Sequence, residues 1–263
     1  MPTPDHVIDD LAHTLIVAEE RTMPIEPISA RYPELTEADV YRVQTALLDL
    51  KTQRGDCVVG KKVGATSQAA MQLFGLSEPF YGSLLAAGRV PDGGTIPFAQ
   101  LIHPRVECEI AFQLGQPLRG PDITGDDVLA ATAAFLPAFE VVDARTSDWK
   151  LQGMRELIAD NGVVSRYVLG EARAPDVGLD LRNVTAVLTK NGEQVVEGQG
   201  TAVLGDPATA VAWLVNKLAT HNRQLEAGDI ILAGSLTPLH PIQAGDQFTA
   251  TFAGIGSVSV TFE

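Results

Sequence analysis

Arg105-Val106-Glu107-Cys108-Glu109-Ile110-Ala111-Phe112 alternates in character along its length. The alternation predicts a half-buried β-strand, because successive side chains of an extended chain point to opposite faces. Val106, Cys108 and Ile110 then face apolar packing, while Glu107 and Glu109 project together on the other side. Two carboxylates side by side repel each other, and burying them without a partner is costly. A divalent cation removes that cost, and an all-oxygen donor set suits magnesium, manganese or calcium rather than zinc. A solvated sheet face carrying both acids is the competing explanation.

Working outward from this strand, the C-terminal two-thirds reads as β-rich. Leu136 to Asp143, Val184 to Leu188, Gln194 to Glu197 and Ile230 to Ala233 are further strand candidates. At the end, Val258, Val260 and Phe262 alternate with Ser257, Ser259 and Thr261. One helix interrupts the strands, with Asp206 as cap, Pro207 in the first turn and Val211, Leu214, Val215 and Leu218 as its stripe. Gly254-Ile255-Gly256 falls at a hairpin turn and so is not a dinucleotide loop.

The first third reads as helical. Ile8, Leu11, Leu15 and Ala18 recur at helical spacing. Thr36 caps a second helix, with Asp39 at the capping-box position and Val40, Val43, Leu47 and Leu50 on one face; Gly55 ends it. Lys61-Lys62-Val63-Gly64 after Gly60 is a short strand bounded by glycines, and Thr66 or Ser67 caps a short helix through Ala70 and Leu73. Pro79, Gly82, Pro91, Gly93 and Gly94 mark a loop-rich stretch. The expectation is an α+β protein: a helical N-terminal region over residues 1–75 and a β-rich catalytic domain over 76–263.

The chain has 263 residues and a net charge of −14. So acidic a surface repels phosphate backbones and argues against nucleic-acid binding. It also repels anionic substrates at long range, so a carboxylate substrate needs a locally positive site. No apolar run approaches the ~20 residues of a membrane-spanning helix. Met1 to Glu20 carries acids and no early basic cluster, unlike a signal peptide. Cys57 and Cys108 make no disulfide framework, and a reducing cytoplasm is the expected setting.

Glu140 stands inside the apolar run Phe135-Leu136-Pro137-Ala138-Phe139-Glu140-Val141-Val142. A lone acid is unexpected there, and it would complete a three-carboxylate, open-sided site with Glu107 and Glu109. Strand alternation sends Lys61 and Lys62 to opposite faces, so only one can enter a given site. Beside a 2-oxo acid, Lys62 could pair with the carboxylate or move a proton; a surface lysine is the plainer explanation. The five histidines offer no metal spacing: His6, His13 and His221 sit on predicted helices, and His103 and His240 in loops beside prolines. There is no Gly-x-Ser-x-Gly elbow, and Cys108 faces the core on this register.

Several stretches together resemble the hydratase/decarboxylase group of the fumarylacetoacetate hydrolase superfamily. They are Tyr32 to Thr36, Gly60 to Ser67, Arg105 to Ala111, Glu140 to Arg145, Ala159-Asp160-Asn161, Gly228 to Ser235 and Gly254 to Val258, spread over nearly the whole chain. The resemblance implies a mixed β-roll with a helical N-terminal region. It implies magnesium, replaceable by manganese, on Glu107, Glu109 and Glu140, and Lys62 as the active-site lysine. Phe80, Tyr81, Asp160 and Ser235 are implied as substrate-binding. Members serve meta-cleavage breakdown of aromatic compounds and form homo-oligomers, so a homo-oligomer associated with the neighbouring pathway enzyme is expected, with a small 2-oxo acid as substrate.

Two departures bear on the reaction. Hydratases of the group carry Asp where this chain has Phe80 in Pro79-Phe80-Tyr81-Gly82, and Ala-Ser where it has Gly162-Val163. A hydratase needs an acid/base group at the far end of its substrate, whereas a decarboxylase needs an electron sink and a place where a carboxylate loses solvation. The expected reaction is therefore decarboxylation of 2-oxohex-3-enedioate (4-oxalocrotonate) to 2-hydroxypenta-2,4-dienoate. Hydration of 2-oxopent-4-enoate is the alternative, as Asp148-Trp149-Lys150 and Gly234-Ser235-Leu236 look more like hydratases. A C–C bond hydrolase or a non-catalytic member of the superfamily also stays open.

Overall fold

The two longest strands, β5 (Arg105–Leu114) and β6 (Thr132–Val142), pair antiparallel and put Glu107 directly opposite Glu140. The structure, a computed structural model, describes residues 3–176 and 178–263. Ahead of β5 come α1 (Asp5–Arg21), α2 (Ile28–Arg31), α3 (Glu37–Gln53), β1 (Val58–Gly64), α4 (Gln68–Phe74), β2 (Phe80–Leu85), β3 (Arg89–Val90) and β4 (Thr95–Ile96). α5 (Gly125–Ala131) joins β5 to β6, and α6 (Met154–Ala159) precedes β7 (Val164–Leu169). Then follow β8 (Thr185–Lys190), β9 (Glu193–Gln199), α7 (Pro207–Ala219), β10 (Ile230–Ser235), β11 (His240–Pro241), β12 (Gln247–Phe252) and β13 (Gly256–Phe262).

These strands make a mixed eight-stranded sheet, ordered β2-β1-β10-β5-β6-β7-β3 with β11 added to β5, and a five-stranded sheet, β4-β13-β12-β8-β9. The large sheet curls until β2 touches β7. Asn161, just before β7, closes the gap: its side chain accepts from Ser83 N at 2.8 Å and donates to Ser83 O at 2.9 Å. The result is the mixed β-roll with a helical N-terminal region that the resemblance implies.

The alternation in β5 sorts the two faces. Val106, Cys108, Ile110 and Phe112 join Phe135, Phe139 and Val141 in the main core, with α1, α3, α7 and the inner residues Phe248, Val258 and Phe262 of the small sheet. Phe112 meets Phe135 edge-on at 5.1 Å, and each such buried side chain contributes roughly 1.5–3 kcal/mol. The other face carries Lys62, Phe80, Glu107, Glu109 and Glu140 above an apolar floor of Leu84, Ala111, Leu136, Ala138, Tyr167 and Leu232. The acids thus lie over a low-dielectric plug rather than on a solvated sheet face.

The caps form as the sequence implies. Thr36 and Asp39 make a capping box on α3, Ser67 caps α4 and Asp206 caps α7. Three expectations need correction. Residues 80–85 are a strand within the stretch read as loop-rich; β2 is buried on both faces, so it lacks the alternation that would have marked it. β1, inside the helical 1–75 region, pairs with β2 and β10, so the large sheet runs across the 75/76 division. His240 likewise stands in the short strand β11 rather than in a loop.

Candidate active site

The β5–β6 register brings Glu107, Glu109 and Glu140 together, with one oxygen of each within 4.8 Å of the others. Glu109 and Glu140 have no solvent exposure at all. Glu109 Oε2 accepts the Gly234 N–H at 2.7 Å. That approach requires glycine: φ at Gly234 is +115°, and a Cβ there would lie 2.3 Å from Thr66 Oγ1. Among the described residues, Glu109 Oε1 and Glu140 Oε2 are buried without a partner, and Glu140 Oε1 meets only the Lys62 ammonium. Buried polar atoms are nearly always satisfied, and the chemistry of these oxygens fits a bound divalent cation.

Lys62 is 2% exposed and sits with Nζ 3.2 Å from Glu140 Oε1. Burial alone would lower its pKa, but the charges of Glu140, Glu107 and Glu109 outweigh burial and raise it. Its ammonium also lies 5.2 Å over the ring of Phe80. Burial, and next the charge of Glu140, pushes Glu107 up to about 7; the same two causes raise Glu109 well above the carboxylate range. Three carboxylates and one ammonium sum to 1 − 3 = −2, the charge one divalent cation cancels. Carboxylate oxygens of this number and hardness suit magnesium, manganese or calcium.

Above the acids opens a cavity of about 420 Å³. Lys62, Phe80, Glu107 and Ser235 line it, together with Trp149 and the apolar Leu73, Phe74, Leu157 and Leu239. Lys62 and Glu107 are the only ionisable groups among the described lining residues. Trp149 is held by its indole N–H, which donates to His103 O at 2.8 Å, and by the Arg105 guanidinium 5.1 Å over its ring.

Two residues expected to bind substrate are not in this cavity. Tyr81 follows Phe80 on β2, and the alternation that admits Phe80 turns Tyr81 to the opposite face, where it stacks on Tyr41 at 4.7 Å. Asp160 is 2% exposed and turned away, accepting the Arg145 N–H at 2.9 Å and pairing with Arg145 Nη1 at 3.3 Å. Ser235 does line the cavity, its hydroxyl donating to Thr237 O at 2.8 Å. Trp149, Thr66, Thr237 and the wall made by α4 were not read from sequence as cavity residues; the hydratase-like Asp148-Trp149-Lys150 was the visible signal for Trp149. Cys108 is buried, and burial pushes its thiol up to about 12, far from a nucleophile.

Residues 79–263 match the family model for the fumarylacetoacetate (FAA) hydrolase C-terminal region. The chain is 40% identical over 252 residues to the 4-oxalocrotonate decarboxylase of Pseudomonas sp. (strain CF600), covering 96% of this chain and 95% of that one. It is 39% identical over 240 residues to the 2-hydroxyhexa-2,4-dienoate hydratase of Comamonas testosteroni, covering 90% of each. The solved structure of the 4-oxalocrotonate decarboxylase from Pseudomonas putida G7, complexed with magnesium and adipate, superposes with a TM-score of 0.96 at 38% identity over the full length of both chains.

Proposed function

The chain belongs to the fumarylacetoacetate hydrolase family, and from that premise we propose that it is a magnesium-dependent carbon–carbon lyase of meta-cleavage aromatic catabolism, decarboxylating 2-oxohex-3-enedioate (4-oxalocrotonate) to 2-hydroxypenta-2,4-dienoate. The observation that carries the choice of reaction is the composition of the cavity. Phe80 and its apolar neighbours leave the far end without an acid or base. Water addition there has no group to move its protons, whereas loss of CO₂ needs none.

Glu107, Glu109 and Glu140 would hold Mg²⁺, with Mn²⁺ as a substitute, and a bound divalent cation supplies Lewis-acid polarisation of the 2-oxo group. Lys62 adds the one positively charged side chain among the described residues that line the cavity. As the C5–C6 bond breaks, its electrons form C4=C5, shift C3=C4 to C2=C3 and end on the C2 oxygen, to which we assign Lys62 Nζ the return of a proton; its support is that Lys62 lines the cavity. Phe80, Leu73, Phe74 and Trp149 keep water from the departing carboxylate, which favours its leaving as neutral CO₂.

The reading extends to a cytoplasmic enzyme. Both cysteines are free, as suits a reducing compartment, and no described helix is long and apolar enough to cross a membrane. A homo-oligomer, associated with the neighbouring pathway enzyme, follows from the family resemblance alone. A hydratase reading is supported by the comparable identity to a dienoate hydratase and by the hydratase-like Asp148-Trp149-Lys150 and Gly234-Ser235-Leu236. No histidine lines the cavity among the described residues, so a hydrolase lacks its water-activating base.

Wild-type kcat/KM with Mg²⁺ on 2-oxohex-3-enedioate and on 2-hydroxypenta-2,4-dienoate, followed by ultraviolet spectra and CO₂ release, tests the assignment. Decarboxylation should dominate. Hydration exceeding it by about tenfold or more would overturn the decarboxylase assignment.

A further inference from the structure

Asn161, Gly162 and Val163 all have positive φ, at +52°, +66° and +56°. Left-handed backbone at an asparagine and a glycine is ordinary, but at a β-branched valine it is strained. Strain of this kind persists only where the surroundings enforce it, and it clusters at working sites. Here the turn packs on the stem of Lys62. A Cβ at Gly162 would lie 3.1 Å from both Lys62 Cδ and Phe80 Cε2. From the opposite strand, a Cβ at Gly82 would lie 2.4 Å from Asn161 O and 3.2 Å from Lys62 Cγ. The lysine stem therefore runs between two backbone walls: a methyl at Gly82 would clash with Asn161 O, and one at Gly162 would press on the stem itself.

What enforces the turn lies behind it. Arg145 is 3% exposed and Asp160 2%. The Asp160 carboxylate accepts the Arg145 N–H and pairs with its guanidinium. The same guanidinium donates to Asp143 O at 3.0 Å and to Val164 O at 3.5 Å, and pairs with Glu19 at 3.1 Å. Arg145 thus ties together the chain before the turn, the residue at its start and the strand after it. Asn161 locks the turn to β2 through both backbone groups of Ser83. Neither Arg145 nor Asp160 touches the cavity.

Resting on the reading of Lys62 as the group that acts on the substrate, we infer that Arg145 and Asp160 are positioning residues, which hold the Asn161–Val163 turn against Lys62 and so fix its ammonium beside Glu140. A displaced acting group loses rate rather than ground-state binding, because a shift of about 1 Å is worth up to ~10²-fold.

Asp160→Asn keeps size and one acceptor but removes the charge that pairs Arg145. With Mg²⁺ and 2-oxohex-3-enedioate its kcat should fall on the order of 10–100-fold while KM stays within about twofold. A second readout needs neither substrate nor metal: the ¹⁵Nζ resonance of Lys62 in chelator-treated protein, assigned by its loss in Lys62→Met. It should move or broaden in Asp160→Asn, while Mn²⁺ affinity, read by electron paramagnetic resonance, holds. Gly162→Ala leaves the ion pair intact and crowds Lys62 directly, so it should show the same pattern even if Asp160→Asn fails to fold. An unmoved Lys62 resonance with unchanged kcat in a folded variant overturns the inference, whatever the melting temperature does. If the wild type acts on neither substrate, the proposed reaction fails, and the resonance alone decides the positioning role.

Discussion

Glu107 and Glu140 are direct cross-strand partners on β5 and β6, two acids in a position where like charges destabilise a sheet. Among the described residues, Glu140 has a cation of the protein in ion-pair contact, Lys62, and Glu107 has none. The two carboxylates therefore differ in what their removal does to the metal-free protein.

Chelator-treated wild type should gain stability with Mg²⁺ or Mn²⁺, by about 2.7 kcal/mol at a hundred times Kd. Glu107→Gln should abolish activity and the metal-dependent rise in Tm, yet melt no lower than the metal-free wild type at pH 8, because it relieves repulsion. Glu140→Gln should also be inactive but melt lower, since it leaves Lys62 buried and unpaired. Calorimetry with and without chelator checks both. Full activity in either variant, or in chelator, would sink the metal site.

Lys62→Met should lose at least the ~10²-fold typical of a positioned proton-transfer group. Lys61→Met should retain activity, because its ammonium lies on the opposite face and donates to Ser83 Oγ at 2.7 Å. Steady-state kinetics on the two variants is the measurement, and an essential Lys61 with a dispensable Lys62 would contradict the observed register.

Much of this site was legible because the two faces of β5 differ in chemistry, although both are largely buried. One face apolar and one acidic is the pattern a sequence displays plainly, and it located Glu107 and Glu109. Glu140 was legible for the opposite reason, as the one acid in an apolar run. β2 was not, since a strand buried on both faces reads as neither period. Asp160 and Tyr81 were placed by motif, and motif does not say which way a side chain turns. For Tyr81 the alternation beside Phe80 would have decided it, once the strand was seen. For Asp160 the deciding partner is Arg145, fifteen residues earlier in the chain, a tertiary fact no local pattern carries.

Phe80→Asp should lower decarboxylation sharply, mainly through KM. The new carboxylate would repel a dianionic substrate and, beside Lys62, would compete with Glu140 for the ammonium. The same change supplies the far end with an acid/base group, so weak hydration of 2-hydroxypenta-2,4-dienoate should appear. Unchanged KM for the diacid would mean that its second carboxylate does not lie against Phe80.

Glu19 tests the network behind the site. Burial tends to raise its pKa, but Arg145 and Lys51 outweigh burial and hold it at about 2, against 4.5 ordinarily. Its folded pKa is depressed, so its contribution is complete above about pH 4.5 and disappears as pH falls toward 2. Glu19→Gln should therefore cost on the order of 2 kcal/mol at pH 7, with the gap to wild type narrowing as pH drops below 4.5. Urea midpoints at pH 7 and pH 4 check it; a gap that widens on acidification has the wrong sign.

Helix α4 walls the cavity with Ala70, Leu73 and Phe74, yet buries none of its own side chains, and Leu73 is 75% exposed. The enzyme therefore separates evolvability from foldability along one seven-residue segment. Substitutions at 70 and 73, which unlike Phe74 do not pack on the main core, can reshape what enters without spending the stability that holds the acids in register, which makes them the natural target for a library selected on new substrates.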